Sequence, residues 1–438
     1  MANFIPTRKL RRVDLADTLY VSPRRLPAGR KPSSMPVSSL TDIDPLVPFD
    51  FDPRTRVVFG SGTSARVGEL ARETGANRAL VVSDEGIVRA GHVRRIIDSL
   101  AQHHVEAVVF DSVQPNPTTE DVDRGLDVAR KHGIDLLIAV GGGSSMDCAK
   151  GINFLLTNGG QMRDYWGVGK ATQPMLPLIA VPTTAGTGSE AQSFAIIADS
   201  KTHLKMACGD KKAACRIAIL DPDLTLSMPA GVTAATGIDA ISHALESYVT
   251  TRRNPVSQLF ARRAWRFLSS GFPTVIAQSS SPNDETMVSA RGAMLLGAHL
   301  AGAAIENSML GATHALANPL TAHYGITHGL AVGLMLPHVI RFNAPVVSTL
   351  YGALAADTRL CSADDPDAGL LLARFVAQLA EKAGLPTNLA QCGVERRILP
   401  QLAEDAARQW TGTFNPRSVD ESSLLELYEA AFETARSN

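Results

Sequence analysis

Four side chains in two segments have the types and spacing of a catalytic metal site: Asp239 and His243, then His314 and His328. Asp239 and His243 lie four residues apart in a stretch, Ala234 to Thr250, that reads as helix. They therefore share one helix face, and both can reach one ion. Pro319 and Gly325 fall between His314 and His328, which predicts a helix, a break and a second helix bringing both imidazoles into the pocket. Three imidazoles and one carboxylate suit Fe2+, Zn2+, Co2+ or Mn2+, with a coordination position left for substrate. The competing reading is coincidence: the chain has eleven histidines, and an isolated histidine is usually structural or exposed.

A second chemistry is carried by glycine-rich loops. The apolar run Asp135 to Val140 leads directly into Gly141-Gly142-Gly143-Ser144-Ser145-Met146-Asp147, with Ser144 or Ser145 as the expected helix N-cap. Three glycines let a ligand approach the backbone, and the first helical N–H groups would face a pyrophosphate, so a dinucleotide is the natural ligand. The loop is neither Gly-x-Gly-x-x-Gly nor a Walker A sequence, and a plain tight turn is the alternative. A second loop, Thr183-Thr184-Ala185-Gly186-Thr187-Gly188-Ser189-Glu190, also follows a strand-like run, and it reads either as the other wall of the same crevice or as a simple cluster of capping hydroxyls. Asp84 closes the run Val81 to Ser83. There it can accept hydrogen bonds from a ribose and repel a 2′-phosphate, favouring NAD over NADP, or it can simply cap the next helix.

The elements that must position these groups are legible as a pattern. From about residue 55, short β-branched runs (78–83, 106–110, 135–140, 178–181, 216–220) alternate with amphipathic stretches such as 118–132, which implies βαβ units and a parallel sheet. After Asp221-Pro222-Asp223 the strand signal fades, and 231–436 reads as helices rich in Ala, Leu and Gly. The expected organisation is a basic arm (1–45), an α/β dinucleotide-binding domain (46–228) and an all-α metal-binding domain (229–438).

Bulk composition narrows the partners. With 438 residues and 45% hydrophobic side chains the chain can fill more than one core. Its 42 basic and 43 acidic side chains nearly cancel, which removes the electrostatic case for nucleic acid or an acidic membrane. Only residues 1–40 are lopsided, with eight basic side chains against Asp14 and Asp17. That arm reads as a solvated extension, an interaction tail or an Arg-rich transit peptide. Five cysteines without a Cys-x-x-Cys pair fit a reducing cytoplasm, and no unbroken apolar run of about eighteen residues predicts a membrane span. A homodimer is the default expectation for assembly.

At the loops and ligands just described the chain resembles the iron-containing alcohol dehydrogenase family, the group that includes lactaldehyde and 1,3-propanediol oxidoreductases. The likeness spans roughly 55–438 and rests on Gly141–Asp147, Pro182–Glu190, Ala235–Glu246, and His314-Ala315 with His328–His338. It implies an α/β dinucleotide domain followed by a helical metal domain. It further implies a metal held by Asp239, His243, His314 and His328, and a pyrophosphate at Gly142, Gly143 and Ser144 beside Asp147. Thr183, Thr184 and Thr187 would lie near the nicotinamide, Asp84 would select NAD, and Lys205 and Asn116 would make further cofactor contacts. The implied activity is NAD(H)- and metal-dependent interconversion of a small primary alcohol and its aldehyde, with Fe2+ the first metal and Zn2+ the second. Many members carry another histidine four residues after the third ligand, considered a proton relay, where this chain has Asn318. An amide cannot shuttle protons as imidazole does, although Asn318 could orient a substrate or cofactor hydroxyl; His323 reads as a substitute relay or, more simply, as an ordinary surface histidine. The rival expectations are a maleylacetate reductase-like enzyme without metal, a dehydroquinate synthase-like lyase, and a non-catalytic assembly subunit.

Overall fold

The computed structural model describes residues 47–202, 204–277 and 284–432; the basic arm expected over 1–45 lies outside the described residues. The first half runs β1 (Arg56–Phe59), α1 (Val67–Glu73), β2 (Arg78–Val82), α2 (Glu85–Arg89), α3 (His92–Gln102), β3 (Glu106–Phe110), α4 (Thr119–His132), β4 (Leu136–Gly141), α5 (Gly143–Asn158), β5 (Gly167–Val168), β6 (Leu178–Pro182), β7 (Phe194–Ala198), β8 (Lys205–Gly209) and β9 (Ile217–Leu220). The second half is helical: α6 (Ala230–Val249), α7 (Pro255–Ala277), α8 (Glu285–Glu306), α9 (Ala312–Tyr324), α10 (His328–Asn343), α11 (Ser348–Asp357), α12 (Ala368–Lys382), α13 (Leu399–Ala407) and α14 (Glu421–Phe432). An α/β domain on a parallel sheet is thus followed by a helical domain.

The main sheet has the order β1-β9-β6-β4-β2-β3, every pairing parallel. Its inner strands are covered on both faces, which is why they read as continuous apolar runs. Leu80, Val82, Leu137 and Ala139 feed one core and Ala79, Val81, Leu136, Ile138 and Val140 the other, the period of two expected of a strand. Because β4 lies between β2 and β6, with Gly141 opposite Pro182 and Val82 opposite Ala139, the loops after all three strands emerge side by side. That carboxyl edge is where open α/β sheets bind ligands. Asp221, which follows β9, accepts hydrogen bonds from the N–H groups of Gly62, Ser64 and Asp223 and ties the exit of the sheet to the turn after β1.

Four strands are absent from the sequence reading: β1, at an edge of the main sheet, and three more. β5, β8 and β7 form a small separate sheet in which β7 and β8 are antiparallel. Their composition hides them, since β8 is Lys-Met-Ala-Cys-Gly and lacks any β-branched residue. The connecting turn was the available signal: the Asp199 carboxylate accepts from the N–H groups of Lys201 and Thr202, an Asx turn.

Two local expectations are corrected. Helix α5 starts at Gly143 with Gly142 as N-cap, so Ser144 and Ser145 lie inside its first turn rather than at the cap. The tight exit from β4 through Gly141, at φ 150°, starts the helix earlier than the serines suggest. The second correction is confined to Pro319: the expected helix, break and second helix between His314 and His328 are present, but α9 runs through Pro319 and the break falls at Gly325, in the left-handed region at φ 64°. Pro319 is buried with its helix, and that packing outweighs the roughly 3 kcal/mol propensity cost of an interior proline. Helix α8 is long and apolar enough to cross a membrane, yet 67% of that stretch is buried within the protein, chiefly against α6 and α7.

Candidate active site

Helix α6 presents Asp239, His243 and Glu246 at i, i+4 and i+7, one stripe of a 3.6-residue period, and all three are buried. His314 sits in the first turn of α9 and His328 opens α10, so the turn that Gly325 makes between the helices carries both to the α6 stripe. The Asp239 Oδ1 atom lies 3.5 Å from His243 Nε2, 3.8 Å from His314 Nε2 and 3.8 Å from His328 Nε2. The Nε2 atoms of His243 and His314 face each other at 3.1 Å. Ligands on a tetrahedral ion with bonds of about 2.1 Å stand roughly 3.4 Å apart, so this spacing suits one ion. The ligand atoms of Asp239, His314 and His328 all lie within 4.8 Å of one another, and His243 joins this group through its contacts with Asp239 and His314.

The electrostatics agree. Asp239 Oδ1 is buried without a hydrogen-bond partner, an arrangement that costs free energy until a cation meets it. Burial alone would raise the Asp239 carboxyl, but His243, His314 and His328 hold it well below the usual carboxylate range. Burial pushes His328 down to about 3 and also lowers His243, in both cases against the pull of Asp239. His314 behaves oppositely: burial disfavours its charge, yet Glu246 and Asp239 outweigh that and push it up to about 9.

Around the carboxyl edge the cofactor candidates converge. No side chain caps α5, so its first N–H groups are available to an anion. A Cβ on Gly142 would meet Thr184 Oγ1 at 3.3 Å, and one on Gly143 would meet Thr187 Cγ2 at 2.8 Å, so the two loops touch where they form the cradle. Thr183 donates its N–H to Gly141 O at 2.9 Å. The hydroxyls of Thr183 and Ser145 are buried without partners. Asn116, in the left-handed region at φ 55°, donates its N–H to Ser144 Oγ at 3.3 Å. Asp84 is the N-cap of α2, accepting from Ile87 N–H at 3.1 Å, while its Oδ2 lies 3.7 Å from where a Cβ on Gly141 would stand; the cap and the crevice position coexist.

Asp147 accepts from Ser189 Oγ at 2.7 Å, joining the two loops. The wholly buried Lys150 donates to Ser189 O at 2.7 Å, Ser189 Oγ at 2.8 Å and Phe194 O at 2.9 Å, and so fixes the second loop against β7. Lys205 opens β8, where burial lowers its ammonium against the opposing pull of Asp147 and Asp239. Ile196 shares its face of the small sheet, because Ile196 opposes Ala207 and Ala198 opposes Lys205. The two halves also meet backbone to backbone: a Cβ on Gly302 of α8 would stand 2.4 Å from Gly188 O.

Sequence reasoning missed Glu246 and Lys150 as residues that shape the site. Spacing could have found both, since Glu246 continues the Asp239 stripe and Lys150 lies one turn beyond Asp147 on α5. It also left Asn318 and His323 open. Asn318, one turn after His314 on α9, donates to Gln409 Oε1 at 3.0 Å, and His323 pairs with Asp405 at 2.7 Å on the surface.

Comparison with known proteins gives the same picture. Residues 53–222 match the family model for iron-containing alcohol dehydrogenase, and residues 233–432 match the C-terminal model of the Fe-containing alcohol dehydrogenase family. The chain is 34% identical to 1,3-propanediol dehydrogenase of Citrobacter freundii over 378 residues, covering 85% of this chain and 96% of the relative. It is 31% identical to lactaldehyde reductase of Escherichia coli over 378 residues, covering 85% and 97%. A crystal structure of 1,3-propanediol oxidoreductase superposes with a TM-score of 0.84 at 32% identity, covering 88% of this chain and 100% of the other. A sulfoacetaldehyde reductase from Bifidobacterium kashiwanohense, solved in complex with NAD+, does so with a TM-score of 0.79 at 27% identity, covering 89% and 100%. On these matches, and on the geometry they agree with, the chain is an enzyme of the iron-containing alcohol dehydrogenase family.

Proposed function

We propose that the protein transfers hydride between a small primary alcohol or aldehyde and NAD(H), with a divalent metal, Fe2+ first and Zn2+ second, at Asp239, His243, His314 and His328. The observation that carries the reading is the partnerless Asp239 Oδ1 with three imidazole Nε2 atoms within 3.8 Å. When bound, the ion supplies Lewis-acid polarisation of the substrate oxygen and the nicotinamide supplies the hydride partner. The chain's residues do the rest. The uncapped start of α5 with Gly142, Gly143 and Ser144 receives the pyrophosphate, and Thr183, Thr184 and Thr187 bound the nicotinamide side. Asp84 accepts from the ribose, with Asn116 and Lys205 as further cofactor contacts. Ile196, on the face of Lys205, offers an apolar wall suited to a short carbon chain. The solved relative bound to NAD+ supports the cofactor assignment.

The test is exhaustive chelation followed by alcohol-dependent NADH formation, with Fe2+ or Zn2+ added back. Loss and recovery of turnover is the expected result; unchanged turnover after chelation would sink the metal role and favour a maleylacetate reductase-like enzyme. Failure to accumulate NADH with any simple alcohol would favour a lyase, and absence of NAD binding by calorimetry an assembly subunit. A preference for NADPH would overturn the role of Asp84. A cytoplasmic homodimer completes the reading. It is supported by five unpaired cysteines, three of them buried, and is open to sedimentation and fractionation.

A further inference from the structure

Glu246 touches neither cradle nor substrate space, yet it is buried between two elements of the metal cluster. One carboxylate oxygen, Oε2, accepts from His314 Nδ1 at 2.5 Å, and the other, Oε1, accepts from Thr313 N–H at 2.7 Å. A carboxylate can only accept here, so in its neutral, ligating form His314 must carry its proton on Nδ1, which leaves Nε2, 3.8 Å from Asp239 Oδ1, as the atom that would meet an ion. The second bond caps the N-terminus of α9, the helix that carries His314, and places a negative charge at its positive end. Gly311 is the N-cap of that helix and supplies no side chain of its own. A Cβ there would stand 3.0 Å from Glu246 Oε1, so the glycine makes room for the carboxylate.

We infer that Glu246 is a positioning residue of the metal centre: it sets the tautomer of His314 and, by the same carboxylate, fixes the start of the helix that presents it. This rests on the cluster being a metal centre. The neighbouring cap provides an internal control. Asn415 Oδ1 accepts from Ala312 N–H at 3.2 Å, one residue from Thr313, so Asn415 braces the same helix end without a bond to His314.

The experiment compares Co2+ binding to the full-length, metal-stripped wild type, Glu246→Gln and Asn415→Ala, by visible absorption together with thermal melting. A glutamine can satisfy only one of the two N–H groups, so Glu246→Gln is expected to lose about 10–100-fold in Co2+ affinity and to shift the absorption bands. Asn415→Ala is expected to melt lower while keeping Co2+ affinity within about twofold. Equal Co2+ affinity and bands in Glu246→Gln, or an equal affinity loss in Asn415→Ala, overturns the inference while leaving the metal centre standing. If the wild type itself binds no Co2+, Zn2+ or Fe2+, the metal reading falls and the inference falls with it. A second readout needs no foldable variant. In ring-15N-histidine spectra of the Zn2+-loaded wild type His314 should be the Nδ1–H tautomer with a strongly downfield proton, and an Nε2–H signal for His314 refutes the assignment.

Discussion

The cofactor cradle and the metal cluster are neighbours built on opposite plans. The cradle is backbone: the exits of β2, β4 and β6 and the start of α5, brought side by side by strand order, with glycines where two loops touch. The cluster is side chain: one stripe of α6 and the first turns of α9 and α10, with a buried carboxylate behind His314. A site of the first kind is damaged by adding atoms and one of the second by removing them.

Substitutions that separate the two plans should therefore have separate readouts. Asp239→Asn removes the charge that opposes the ion, and turnover and metal content should fall by more than the roughly 10–100-fold attached to losing an orienting partner. NADH binding by fluorescence should be unchanged, and a parallel loss would break the comparison. Conversely, Gly143→Val forces a side chain onto Thr187, with an overpacking cost of about 1–3 kcal/mol, or about 5- to 150-fold in NAD affinity, while Co2+ binding is retained.

Acidity sharpens the contrast further. His314 is pushed up to about 9, so in the metal-free protein its charged form contributes stability that is fully present below the ordinary histidine range and is lost as pH rises through about 9. A proton thus competes with the ion. Metal affinity measured by titration should climb about tenfold per pH unit between pH 7 and 9 and then level off, whereas NADH affinity should not follow that curve. The smallest effect is expected at Asn318, whose amide is already engaged by Gln409. Asn318→Ala, at a half-buried position, should lower stability by about 0.5–1.5 kcal/mol, the worth of its bond to Gln409, while kcat changes by no more than about threefold, and a larger loss in kcat would return that residue to the reaction path.

The same contrast governs what could be read in advance. Cradle residues were legible because each loop is contiguous and its glycines have a local reason: Gly141 takes φ 150° and Gly143 leaves room for Thr187. Asp239, His243, His314 and His328 were picked out by residue type and by the i, i+4 pair, but that they gather around Asp239 is a tertiary fact. Glu246 stood in plain view at i+7, and only the arrival of α9 beside α6 gives it His314 as a partner. β7 and β8 escaped because a pairing between Ile196 and Ala207 leaves no mark in an Ala- and Cys-containing stretch. Pro319 misled because helix propensity is a local quantity, while the burial that holds α9 together is not.

The contact of Gly188 with Gly302 has a consequence for how such an enzyme can change over time. Where side chains cushion a boundary, each half can drift in sequence and the cushion absorbs the mismatch. Here a single methyl group on Gly302 would collide with Gly188 O, so the spacing between the loop after β6 and α8 is set by bare backbone. That seam tolerates little change in sequence. Diversification toward new alcohols must take place on the walls that flank it, with the seam held constant.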